Sequence, residues 1–177
     1  MTKTASRAQY ACVSEPDGPP GSGLDAFDAI YQRELDYVCR NLGRLGVPVR
    51  DIPDAAHDVF VILYRKWNEI DPNRSSRAWL FGVARRVASS ARRQRHVPSE
   101  IDPPSPDQGL VQRDLVWSAL AELDDDRRAV VILHDLEGHT GTEIAEILEI
   151  PANTVHSRLR LAREELFVIL RRLRSSP

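Results

Sequence analysis

The sequence predicts an all-α protein in which two small helical domains are joined by a proline-rich linker. Three observations carry this. Apolar residues recur at helical spacing through residues 24–96 and again from 111 to about 173, with no strand-like alternation. Between them, residues 97–110 (VPSEIDPPSPDQGL) hold four prolines and no apolar period, which marks extended chain. Ahead of both, residues 1–23 end in a Pro/Gly/Ser cluster without periodicity, as a disordered tail would. The expected division is a tail over 1–23, a first domain over 24–96, a linker over 97–110 and a second domain over 111–177.

In the first domain helices are expected near 24–41, 54–69 and 77–96, with an irregular piece where Gly43, Gly46 and Pro48 interrupt residues 42–53. Pro53 followed by Asp54 reads as a helix start, since an acid there meets the positive end of the dipole. In the second domain helices are expected near 111–122, 125–136, 141–149 and 152–173. Asp124 suits the cap of the second of these, and Gly138 stands where it would stop.

Composition narrows the class. The chain is 42% hydrophobic and 28% charged, as folded domains are. No apolar run approaches the roughly 20 residues that cross a bilayer, and the polar start lacks a signal-peptide core, so a cytoplasmic protein without membrane insertion is expected. Cys12 and Cys39 are too far apart and too few to suggest a disulfide or metal site, and Cys39 reads as a small buried apolar residue. The net charge of −2 hides a split: residues 24–96 carry 13 bases against 9 acids, whereas 111–177 carry 9 against 12.

That basic surplus concentrates in residues 77–96, RAWLFGVARRVASSARRQRH. On a helix, Trp79, Leu80, Val83, Ala84, Val87, Ala88 and Ala91 share one face, while Arg85, Arg86, Arg92, Arg93, Arg95 and His96 spread over the other. Like charges at such spacing repel, so a face of one sign calls for an anionic partner. Nucleic-acid phosphate is the leading candidate, a plain solubilising surface the alternative, and an acidic membrane a poorer fit for so alanine-rich an apolar face. The preceding loop, DPNRSSR, offers Asn73, Arg74, Ser75 and Ser76 as hydrogen-bonding groups for an unstacked base, or is an ordinary turn.

Residues 54–67, DAAHDVFVILYRKW, hold too many apolar side chains for a single stripe, which points to a second face covered by a partner protein. Catalysis or metal binding by His57 and Asp58 lacks a second histidine, a cysteine cluster or a nearby nucleophile. Further on, TGTEIAEILEIPANTVHSRLRLAREEL (140–166) reads as a helix-turn-helix. Thr140 and Glu143 stand at capping-box spacing, a break at Glu149-Ile150-Pro151 follows, and a long helix then sets Val155, Leu159, Ala162, Leu166, Ile169 and Leu173 inward. Its outer side presents Asn153, His156, Ser157, Arg160 and Glu164, with Thr154, Arg158 and Arg163 flanking, a set suited to base edges and phosphates. A helical hairpin with a solvated face is the bland alternative.

Together these stretches resemble the extracytoplasmic-function group of bacterial sigma factors, over about residues 24–96 (region 2) and 111–170 (region 4). The RAWL and EIA…TVHSRL blocks carry the likeness most specifically. The resemblance implies a factor that binds core RNA polymerase, recognises the −10 and −35 promoter elements and starts transcription, under an anti-sigma factor. It would have no catalytic residue, metal or cofactor of its own, since the polymerase supplies the Mg²⁺. Asp54, His57, Asp58 and Val61 would grip the clamp coiled coil of the largest polymerase subunit. Asn73, Arg74, Ser75 and Ser76 would receive a flipped −10 base, with Arg85, Arg86, Arg92 and Arg93 on the opened strand and adjacent duplex. His156, Ser157 and Arg160 would read the −35 element, with Thr154, Arg158 and Arg163 on its backbone. The chain departs from the family pattern at His57-Asp58, where Gln-Glu is usual, at Arg86 for Asn, at Leu161 for a base and at Glu149 for Gly. Fourteen linker residues at about 3.3 Å each reach about 46 Å, and the domain widths would cover the rest of a spacer of about 17 base pairs, about 58 Å long. The rival reading is a stand-alone helix-turn-helix regulator, and an enzyme built on His57, Asp58, His134 and Asp135 is a remote third.

Overall fold

The computed structural model describes residues 21–70, 75–94 and 110–175. Among these residues the regular elements are all helical: α1 (Gly21–Arg44), α2 (Ile52–Arg65), α3 (Ser76–Gln94), α4 (Leu110–Glu122), α5 (Asp125–Val131), α6 (Gly141–Leu148) and α7 (Ala152–Ser175). Short 3-10 turns at Val49–Asp51 and Trp67–Glu69 flank α2, and a π-helical turn, Ile132–Leu136, finishes α5. Cys12 and most of the expected tail lie outside the described residues, as do Asn73 and Arg74, Arg95 and His96, and most of the expected linker. Helix α1 begins at Gly21, inside the expected tail, and α4 at Leu110, the last expected linker residue.

The helix ends follow local chemistry. Asp124 caps α5 by accepting the backbone N–H groups of Asp126 and Arg127 at 3.1 and 2.9 Å. Thr140 and Glu143 close a full capping box at the start of α6. Gly46 and Gly138 take φ of +89° and +78°, where a side chain would be strained. The expected interruption at Gly43 does not occur, and α1 runs straight through it. The glycine is needed there because a Cβ would stand 2.6 Å from the ring of Trp117 on α4.

Helices α1, α2 and α3 pack on one another around Tyr37, Leu42, Val59, Leu63, Leu80, Phe81 and Ala84. Phe27, Tyr31, Phe60, Tyr64 and Trp67 meet ring to ring at the end of this unit where α1 begins. In the second unit α4, α5 and α6 all lie against α7, around Leu120, Val130, Leu133, Ile144, Val155 and Ala162. Cys39 is half-buried, and burial pushes its thiol pKa up.

The sequence predicts two modules set apart by a linker, but the structure packs them together, and their buried side chains form one continuous cluster. Besides Trp117 against Gly43, the seam is held by Arg128 of α5, which is only 4% exposed. Its guanidinium donates to the carbonyl of Leu45, just past α1, at 2.9 Å. It donates also to Leu120, Ala121 and Leu123 at 2.6, 2.7 and 2.6 Å, closing the α4–α5 turn. Gly46 leaves room for it, since a Cβ would lie 3.0 Å from one of its nitrogens. One residue before Leu45, Arg44 pairs with Glu137.

Replacing Arg128 by methionine keeps the apolar stem and takes a donor from four carbonyls, of which that of Leu120 keeps the N–H of Leu123 at 3.2 Å. The loss expected is about 3 kcal/mol or more, read as a lower urea midpoint, and Arg128→Lys should recover part of it. A loss within about 0.5 kcal/mol, the range of ordinary surface changes, would contradict the role given to this residue.

Candidate nucleic-acid and polymerase interfaces

Helix α3 turns its apolar face inward, with Leu80, Phe81, Val83, Ala84 and Ala88 buried and Trp79 and Val87 half-buried. The arginines stand on the other side, where the second unit meets them. Arg85 pairs with Asp126, and Arg92 with Asp125. The anionic partner that the one-signed face calls for is therefore present inside the chain, in the first turn of α5. Arg86 and Arg93 are exposed and make no ion pair among the described residues.

At the head of α3, Ser75 is exposed and Ser76 is the first helical residue, its hydroxyl accepting a bond from Arg33 at 3.2 Å. Glu34, 3% exposed, fixes this junction from below. Its two oxygens accept Arg33 Nε and Arg77 Nε at 2.7 Å each, and the Arg77 guanidinium lies 5.1 Å over the Tyr37 ring. Burial pushes the Glu34 pKa up, but the hydrogen bonds from Arg77 and Arg33 outweigh it and hold the carboxyl below its ordinary value. Glu34 escapes a motif-based reading. The signal available was its phase, because it falls on the same helical face as Ile30, Tyr37 and Val38.

On α2, Asp54, His57 and Asp58 are exposed and Val61 is half-buried, at i, i+3, i+4 and i+7 along one stripe. The opposite face, Ala55, Ala56, Val59, Phe60 and Leu63, is buried in the first unit. The apolar surplus that the sequence showed is thus mostly absorbed by the fold, with an acidic stripe left open to solvent.

Helices α6 and α7 form the helix-turn-helix. Ile150 N–H bonds back to Ala145 at 3.0 Å, and Glu149 closes the turn at φ +55°, a conformation that costs a non-glycine residue about 1 kcal/mol. His156, Ser157 and Arg160 are exposed on the outer side of α7, and Thr154 is half-buried. The imidazole of His156 lies over the first turn of α6, where a Cβ at Gly141 would come 3.2 Å from its Nε2. Among the described residues Arg160 is tied only to Glu164 on its own helix, at 2.6 Å and largely exposed. Such a pair is worth about 0.3–0.5 kcal/mol and yields readily to a phosphate or base. Arg163 reaches Asp135 in the π turn, whose pKa burial raises and the Arg163 and His134 hydrogen bonds hold low. Arg158 does not face outward with Arg160. It is half-buried and pairs with Asp126 at 2.6 Å.

Between the units runs a cleft of about 600 Å³. Ile62, Ile70, Trp79, Val83 and Ile147 make it apolar, while Glu143, Glu146 and Glu149 give it an acidic rim across from Arg86 and from Lys66, which is paired with Glu69.

Residues 30–97 match the family model for sigma-70 region 2, and residues 113–166 match that for sigma-70 region 4. The chain therefore belongs to the sigma-70 family of RNA polymerase sigma factors. Among similar proteins, the RNA polymerase sigma factor CnrH of Cupriavidus metallidurans is 28% identical over 82% of this chain and 86% of its own. The ECF RNA polymerase sigma-E factor of Escherichia coli is 26% identical over 80% and 84%. The structure of CnrH with the cytosolic domain of CnrY superposes with a TM-score of 0.67 at 26% identity, covering 83% of this chain and 88% of that one. The sigma factor RpoE with the anti-sigma factor NepR from Bartonella quintana gives 0.73 at 23% identity, covering 83% and 98%, and so shares the fold. Within the family the chain is an extracytoplasmic-function sigma factor, a non-enzymatic protein that binds core polymerase and directs it to promoters. A stand-alone regulator is not favoured, because one chain carries both sigma regions.

Glu34→Gln should destabilise the protein by about 1–3 kcal/mol at pH 7, measured by urea unfolding. Since the folded pKa lies below the unfolded one, the carboxylate's contribution is complete above the ordinary value of 4.5 and is lost as pH falls through the folded value. The gap between the two proteins should accordingly close on acidification. A gap that stays constant down to pH 3 would show that the charge on Glu34 is not what holds Arg33 and Arg77.

Proposed function

We propose that the three exposed surfaces divide the work of a sigma factor among themselves. The first unit, from the start of α1 through α3, serves as region 2, the second, from the start of α4, serves as region 4, and the chain between α3 and α4 spans them. Asp54, His57, Asp58 and Val61 dock on the clamp coiled coil of the largest polymerase subunit. What supports this is an acidic stripe left exposed on a helix whose other faces are buried.

At the −10 element, Asn73, Arg74, Ser75 and Ser76 receive the unstacked base, and Arg85, Arg86, Arg92 and Arg93 hold the strand and adjoining duplex. At the −35 element, His156, Ser157 and Arg160 read base edges from the outer face of α7 while Thr154, Arg158 and Arg163 contact phosphates. The observation that carries the −35 assignment is that exposed face, set on the second helix of the α6–α7 pair with its inner face buried at Val155, Leu159 and Ala162. The protein acts in the cytoplasm, where core polymerase is found.

An anti-sigma factor controls this chain, as the complexes of RpoE with NepR and of CnrH with CnrY indicate for those relatives. The inter-unit cleft, apolar inside with an acidic rim, fits an amphipathic segment carrying basic residues at its edges.

Two substitutions test the assignments. Asp58→Lys, with helicity unchanged, should abolish co-elution with core polymerase, and undiminished co-elution would remove the docking assignment. Arg160→Ala should cost about 1–3 kcal/mol against a single −35 base step, measured as promoter activity across a set of −35 variants. An equal loss on every variant would make Arg160 a phosphate contact.

A further inference from the structure

One carboxylate serves both DNA-facing helices. Asp126 takes Arg85 of α3 on Oδ1 and Arg158 of α7 on Oδ2, the latter at 2.6 Å, while its neighbour Asp125 takes Arg92 of α3. Three of the arginines assigned to promoter phosphates are thus already engaged, by acids that the cap at Asp124 holds at the start of α5.

Carboxylate and phosphate compete for the same guanidinium donors, so an arginine committed to one is withheld from the other. The spacing excludes a compromise. Arginines from the −10 and −35 surfaces meet here on a single side chain, whereas the two elements lie about 58 Å apart on duplex DNA for a spacer of about 17 base pairs. The form with these ion pairs cannot occupy both elements at once.

We propose that the acidic first turn of α5, Asp125 and Asp126, is an internal substitute for DNA phosphate that holds the free chain closed and in a low-affinity state. Opening the seam frees Arg85, Arg92 and Arg158 together. These are half-exposed ion pairs, and salt weakens them. The proposal rests on the assignment of α3 and α7 arginines to DNA.

The test uses the full chain without polymerase and reads size and DNA affinity separately. The variant Asp125→Asn/Asp126→Asn is compared with wild type and with Glu122→Gln/Glu165→Gln, which removes two ion-paired acids of the same unit, the partners of Arg172 and Arg127, without touching α3. Small-angle scattering should show the first variant expanded and the control as compact as wild type. Wild type itself should expand between low salt and 1 M salt, a reading that requires no substitution. Anisotropy with a promoter duplex should show the first variant binding about tenfold tighter or more, with a log–log salt slope steeper by about 2 to 3 for three released arginines. The control should keep the wild-type slope. A variant and a high-salt wild type that both stay compact would overturn the latch and leave the DNA assignments standing. Expansion without a change of slope would overturn it from the other side, by showing that the freed arginines do not meet phosphate.

Discussion

A guanidinium removed from water must be given hydrogen bonds in return, and at Arg128 they come from both units of the molecule. Leu120, Ala121 and Leu123 supply carbonyls from the α4–α5 turn, and Leu45 supplies one from the turn after α1. The relative placement of the two units depends on this arrangement. Gly46 is bare because Arg128 passes over it, and Trp117 lies on α1 because Gly43 has no side chain to hold it off. With α5 anchored in this way, its first turn can only face α3. That is why the acids at its start fall opposite Arg85 and Arg92.

Charge in this protein is consequently a matter of pairing more than of totals. A net charge of −2 is unhelpful for binding DNA, and the local surplus in residues 24–96 looks like the remedy. Much of that surplus is met by acids of the other unit. Of the described arginines assigned to DNA, those open without any rearrangement are Arg86 and Arg93 on α3, and Arg160, held there by an exposed neighbour on its own helix. The acidic stripe of α2 lies apart from this traffic, with Asp54, His57 and Asp58 left to solvent.

Local features were legible in the sequence because local chemistry decides them. Asp124, the Thr140–Glu143 box and Gly138 mark helix ends by hydrogen bonds and backbone angles that a few residues determine among themselves. The exposed positions of α2 and α7 follow from helical phase. The seam was not legible, since it joins residues such as Leu45 and Arg128 that lie far apart in the chain. Arg128 sits in the run DDDRRAV beside Arg127, which is only half-buried, and phase does not separate the two: buried residues stand three and four positions after each, Val130 and Val131 for one and Val131 and Ile132 for the other. Glu34 is clearer, since it lies three and four positions ahead of the buried Tyr37 and Val38. There a charged residue on the apolar phase of a helix is the sequence signature of a buried, hydrogen-bonded ion. Gly43 misleads for a related reason, because its purpose is to admit a ring from another helix and not to end its own.

As a sigma factor, this chain must by itself confer promoter selection on polymerase. The most direct measurement is run-off transcription from fragments of the source genome by core polymerase with and without the purified chain. Discrete transcripts that depend on the added chain, and vanish when the promoter's −35 sequence is scrambled, are the predicted result. Core that initiates no better with the chain than without it would contradict the account.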